Sequence, residues 1–215
     1  MNFVALAYIL WLVAAALQLL GTVLPYWKTN DPSGQVIELR EVNIGLWHKC
    51  TGYATGIFSC DDFDSIWLGQ QSEVTTARAL MGVTMLLDFV TLVCFQIAAP
   101  WVSCSSGEVK RKVMQAAAVC MLFANICTAC GSGYYGSKVL NDYYTMNGLL
   151  NRDRNFGSKL SVDSGYNGIG DAMKFGGSLY ACWVSVLFGF TATIMMFCCL
   201  KHELELDDDE YYAKW

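Results

Sequence analysis

The apolar positions of this chain fall into long, unbroken runs. Phe3 to Tyr26, Val113 to Tyr135 and Phe175 to Leu200 carry no charged side chain, and Ala79 to Ala99 carries only Asp88. A bilayer core about 30 Å thick takes about 20 helical residues. The pattern therefore predicts four membrane-spanning helices, at about 3–26, 79–99, 113–135 and 175–200. The first run admits a second reading, a cleaved signal peptide with small residues at Ala14, Ala15 and Ala16. Against that reading, it lacks a basic start and stays apolar to Tyr26.

Between the runs the texture changes. In QVIELREV (35–42), Ile37 and Leu39 fall on one face and Glu38 and Arg40 on the other, the alternation of a strand. GLWHKC and GIFSC are short segments joined by TGYAT, where Gly52 and Gly56 suit a tight connection. Residues 27–60 thus read as a small antiparallel sheet. DSIWLGQQSEV (64–74) reads as a short helix capped by Asp64 or Ser65. Residues 136–174, rich in Gly and Asn, read as a long loop.

Charge sets the topology. Lys110, Arg111 and Lys112 crowd the short loop between the second and third spans, whereas 28–77 holds only Lys28, Arg40 and Lys49. The positive-inside rule makes that short loop cytoplasmic. Both termini are then cytoplasmic, and 27–78 and 136–174 face outward. The net charge of −5 is unevenly spread. Residues 28–77 and the tail 201–215 each carry −4. The acidic tail argues against a polybasic lipid-binding role, and no basic patch suited to nucleic acid is present.

Ten cysteines sort by compartment. Cys94, Cys120, Cys127, Cys130 and Cys182 lie in the spans. Cys104, Cys198 and Cys199 lie at the cytoplasmic face, as candidates for S-palmitoylation or as unmodified buried thiols. Only Cys50 and Cys60 face outward, where oxidation is permitted. They are expected to form a disulfide.

Catalytic and cofactor motifs do not survive their context. GSGYYG (131–136) fits G-x-G-x-x-G but ends an apolar helix instead of following a strand. CTAC (127–130) lies within a span, where small residues serve helix packing. His48 and His202 are the only histidines. No zinc site, no cofactor and no enzymatic activity are expected. Counted inward from the outer boundary, Gln18, Asp88, Asn125 and Ser185 fall at a common depth of roughly 12–15 Å, taking 1.5 Å per residue. They read as an interhelical polar layer, with a proton or ion relay through Asp88 as the alternative.

Trp27, then Gly45-Leu46-Trp47, then Cys50 and Cys60 resemble the first-loop signature of the claudin family. ARALM (77–81) is similar to the claudin continuation, with Arg78 at its characteristic place. NDYY (141–144) resembles the end of the claudin third helix, and FGGSLYACW (175–183) the entry to the fourth. The resemblance runs in order along nearly the whole chain. Three features depart from it. The 136–174 segment is long, Asp88 replaces an apolar or small residue, and the end YYAKW differs from the Tyr-Val that many claudins offer to PDZ scaffolds. The last argues against scaffold binding by β-augmentation.

The resemblance implies a mainly α membrane protein. Its claudin-like region, 1–200, would be a left-handed four-helix bundle carrying a small extracellular antiparallel sheet, followed by the acidic cytoplasmic tail 201–215. It implies a junction protein in the plasma membrane that associates with itself and with other claudin-like proteins, side by side and across apposed membranes. Such proteins seal the paracellular space or line it with charge-selective pores. By the same resemblance, Ile66 inserts into a neighbour's pocket that includes Tyr143, Tyr144 and Phe175, with a core or lipid-facing Ile66 as the competing account. Asp61, Asp62 and Asp64, just after the second cysteine, set a preference for small inorganic cations. An acidic solvated turn, with Asp64 as a cap, is the competing account. An auxiliary subunit of a channel or receptor is the second functional reading, and a transporter or enzyme a distant third.

Overall fold

A computed structural model describes residues 3–30, 41–53, 56–62, 72–98, 107–153 and 173–213. In chain order the elements are α1 (Phe3–Val23), β1 (Lys28–Thr29), β2 (Glu41–Ile44), β3 (His48–Gly52), β4 (Phe58–Asp62), α2 (Ser72–Ala98), α3 (Gly107–Asp153), β5 (Lys174–Phe175) and α4 (Gly177–Ala213). Four segments are long and apolar enough to cross a membrane: Val4–Val23, Ser72–Ala98, Glu108–Thr145 and Gly177–Cys199. The protein is a multi-pass, mainly α membrane protein with a small antiparallel sheet.

Helix ends follow local chemistry. α1 stops two residues before Pro25, whose ring disfavours helical geometry in the residue preceding it. α2 opens on Ser72 with Glu73 in its first turn, where a carboxylate is favoured by the helix dipole. In the sequence Pro100 stands two residues beyond its last residue.

The expected 136–174 loop is corrected in part. α3 continues through 136–153. The apolar run ends where lipid contact would end, but nothing there stops a helix. No proline falls in this stretch, and Tyr135 and Val139, four apart on one face, are both buried. β5 lies at the far end of the same stretch and was not expected. Two residues are too few to leave a periodic signal. Of the expected strand 35–42, only Glu41 and Val42 fall among the described residues, and they open β2. Asp64, Ser65, Ile66 and Cys104 lie outside the described residues, as do the side chains of the tail.

The chain divides into two compact units. The first comprises Met1–Leu20, Arg78–Gly131 and Ala181–Trp215. Here all four helices share one core of Ala7, Trp11, Phe95, Ala117, Ala118, Met121, Ala192 and Met196. The alanines let helices approach closely, which is how packing is gained inside lipid. Tyr8, Trp11 and Phe95 form an aromatic cluster with ring centroids 4.7–5.8 Å apart. Arg78 is buried in α2.

Polar side chains of this unit find partners within the bundle. Gln18 Nε2 donates to Thr128 Oγ1 at 2.6 Å, and Thr128 Oγ1 lies 3.4 Å from Thr84 Oγ1. Asn125 Nδ2 reaches Met121 O at 2.9 Å and Thr193 Oγ1 at 3.2 Å. Ser185 Oγ donates to Cys182 O at 2.6 Å, within its own helix. Asp88 Oδ2 is buried with no hydrogen-bond partner among the described residues. Equal depth thus does not give the four expected residues the same partners. Each helix is rotated about its own axis, and depth says nothing of rotation.

Asn125 fits only because α4 offers a glycine. A Cβ at Gly189 would collide with the Asn125 amide. Gly189→Ala is expected to lower the thermal stability of the detergent-purified protein by about 1–3 kcal/mol, the usual cost of overpacking. Adding Asn125→Ala should recover more than half of that loss. Equal melting temperatures for Gly189→Ala and wild type would contradict the contact.

Candidate functional site: the sheet and its acidic edge

The second unit comprises Gly21–Ala77 and Ser132–Tyr180. Its sheet has the order β4-β3-β2-β1-β5, with every neighbouring pair antiparallel. Among the described residues β4 and β5 are therefore the two edges.

The segment after α1 organises this unit. Trp27 is fully buried. Its indole donates to Gly21 O at 2.7 Å and meets Tyr135 edge-on, with centroids 5.0 Å apart. Its backbone serves both neighbours. Trp27 N donates to Ile44 O at 3.0 Å, and Gly176 N donates to Trp27 O at 3.0 Å. One residue earlier, Tyr26 O accepts from Ser178 N at 2.9 Å, and Ser178 Oγ reaches Leu24 O at 3.2 Å. These approaches require glycine. A Cβ at Gly45 would collide with the Pro25 backbone, and one at Gly176 with the Tyr26 carbonyl. The first glycine of Gly45-Leu46-Trp47 is thus a steric requirement. Leu46 is fully buried and Trp47 is about one-third exposed (36%). An anchor at a membrane–water interface is consistent with Trp47 but not with Trp27.

Lys28 is buried beside this segment. Its ammonium lies 5.2 Å from the Tyr135 ring centroid and 3.5 Å from Asp142 Oδ2. A buried cation needs such partners. The sequence reading missed this group, although Asp142 lies within the NDYY stretch it had singled out.

β3 and β4 form the hairpin that carries the acidic residues. Tyr53 N donates to Ile57 O and Gly56 N to Tyr53 O, each at 2.9 Å. Gly56 has φ of 81°, in the left-handed region. Of the two glycines expected in the turn, Gly56 makes it, whereas Gly52 is a strand residue opposite Phe58. Cys50 and Cys60 stand directly opposite each other and are disulfide-bonded. Asp61 is exposed and stands opposite Lys49, which is half-buried. Asp62 stands opposite His48. The side chain of Asp62 and the whole of Asp64 lie outside the described residues.

The expected lateral residues are close in the chain or in pairs. Tyr143 and Tyr144 have ring centroids 5.9 Å apart, with Tyr144 exposed. Phe175 is on β5, 6.2 Å from the Tyr180 ring. Ile66 lies outside the described residues. Near the end of the apolar part of α4, Cys198 is exposed and Cys199 half-buried. Among the described residues no His, Cys, Asp and Glu group could hold a metal ion.

Four apolar helices, a sheet whose strands fall in the chain between the first and second helices and just before the fourth, and a stapled hairpin define a four-span membrane protein whose distinctive surface is the sheet. The chain belongs to the PMP-22/EMP/MP20/Claudin family, whose model matches residues 1–162. It is similar to Claudin-19 of Mus musculus, 31% identical over 166 residues that cover 75% of this chain and 72% of the relative. Claudin-1 of Mus musculus is 26% identical over 145 residues, 66% and 68% of the two chains. Claudin-7 of Homo sapiens is 24% identical over 164 residues, 75% and 76%.

Closing a loop of this size is worth about 2–3 kcal/mol in the chain-entropy account of disulfides. Cys50→Ser/Cys60→Ser should therefore unfold at a lower temperature than wild type in detergent. Reductant should lower the wild-type value towards that of the variant and leave the variant unchanged. No response of wild type to a reductant shown by thiol labelling to open the bond would contradict this stabilisation.

Proposed function

We propose that the protein is a cell–cell junction component whose sheet forms the wall of a paracellular barrier with cation-preferring pores. Family membership supports the junction role, and the exposed Asp61 on the edge strand, next to the stapled Cys60, carries the charge preference. A disulfide is at home in an oxidising compartment. That supports a sheet facing outward and, with Lys110, Arg111 and Lys112 at the start of α3, cytoplasmic termini. The chain would associate laterally and across apposed membranes with copies of itself and related chains. Ile66 would be the lateral anchor, and Tyr143, Tyr144 and Phe175 would belong to the receiving surface. Asp62 and Asp64 would extend the acidic site.

The physics permits selectivity on this scale. Two unit charges 4 Å apart interact by about 1 kcal/mol in bulk water and about 4 kcal/mol at an effective dielectric of 20. A preference of about 1.4 kcal/mol already gives tenfold discrimination. Screening over about 8 Å at physiological salt confines the effect to a constriction.

The test is a NaCl dilution potential across epithelial monolayers expressing wild type or Asp61→Asn/Asp62→Asn. Wild type should favour sodium, and the variant should lose that preference while still concentrating at cell contacts. Identical potentials with both proteins at the contacts would reduce the aspartates to surface charge. Diffuse surface staining with co-purification of a channel or receptor would favour the auxiliary-subunit reading instead.

A further inference from the structure

The ladder registers place one residue from each strand in a single row. From β4 to β5 it runs Asp61, Lys49, Ile44, Lys28, Phe175. Residues directly opposite in an antiparallel pair project to the same face, with Cβ atoms about 4.5–5.5 Å apart. The row therefore contains one carboxylate, two ammonium groups and two apolar side chains. Lys28 is buried and engaged by Asp142 and the Tyr135 ring. Lys49 is half-buried, between buried Ile44 on one side and exposed Asp61 on the other. A lysine stem lies readily along an apolar neighbour while its ammonium reaches outward, and the residue opposite Lys49 on the edge strand is Asp61.

We propose that Lys49 is a specificity-determining residue that offsets the field of Asp61 and so tunes the cation preference down; this inference rests on the pore reading given above. The next rung is the Cys50–Cys60 pair, which is disulfide-bonded. A register slip of one residue would turn every side chain to the opposite face, and the staple prevents it at the adjacent position. The backbone positions of Lys49 and Asp61 stay opposite each other while the bond holds. The charge presented by this row is therefore that of a carboxylate with an ammonium group on the neighbouring strand. A count of aspartates alone overstates the cation preference of this chain.

The experiment measures NaCl dilution potentials of monolayers expressing the full chain as wild type, Lys49→Gln, Asp61→Asn and the double variant, with surface delivery checked by biotinylation. Lys49→Gln should raise the sodium-to-chloride permeability ratio about two- to fivefold, the size of an opposite-charge cross-strand pair converted to a ratio. In the Asp61→Asn background, the same change should move the logarithm of the ratio by less than half as much. Lys49→Arg should keep the wild-type ratio. If Lys49→Gln fails to reach the surface, Lys49→Met removes the charge while preserving the stem. An unchanged ratio in Lys49→Gln, with Asp61→Asn still lowering it, would overturn the role of Lys49 and leave the pore reading standing. Equal effects of Lys49→Gln in both backgrounds would show that it acts independently of Asp61, which also overturns the proposal. No effect of Asp61→Asn would remove the Asp61 charge role and this proposal with it.

Discussion

The sheet-bearing unit depends on the close backbone approach at residues 25–27. A few residues after α1 supply hydrogen bonds in two directions. Trp27 N reaches β2 through Ile44, and the carbonyls of Tyr26 and Trp27 accept from Ser178 and Gly176 at the start of α4. The two flanking segments can come this close only because Gly45 and Gly176 have no Cβ. Burial of Trp27, and its indole bond to Gly21, holds the segment in place. The sheet is thus attached through main-chain bonds, which are harder to lose by drift in side chains than an apolar contact would be.

The hairpin is a different kind of object. Its strands are held to each other by the ladder and the Cys50–Cys60 bond, and its turn depends on Gly56. The inner strands β1 and β2 tie the sheet to the segment after α1, while β3 and β4 carry Lys49 and Asp61 at the edge. Lys49 and Asp61 can change without disturbing Trp27, which lies outside their row and is bonded to it through Ile44 O.

Much of this was legible in the sequence, for physical reasons. Four apolar runs with a single charge among them leave few alternatives to spanning helices. Cys50 and Cys60 were the only pair on the outward side, so their partnership followed from compartment alone. The rest was hidden where the signal is three-dimensional. The end of α3 was misread because loss of hydrophobicity marks the end of lipid contact and not of helix. β5 is too short for any pattern. The partners of Gln18, Asp88, Asn125 and Ser185 depend on helix rotation, which depth along each span cannot supply. Asp61 was legible as a charge, but its opposition to Lys49 depends on strand register, which no composition reveals.

The most direct test of this account is amide hydrogen exchange, read by mass spectrometry, on detergent-purified wild type and Gly45→Ala. If the approach of Gly45 to Pro25 secures the sheet, the variant should exchange faster across β1, β2 and β5. The disulfide-linked β3–β4 hairpin should change least. Unaltered protection of β1 and β5 in a folded Gly45→Ala protein would contradict the claim that this backbone contact holds the sheet to the helices.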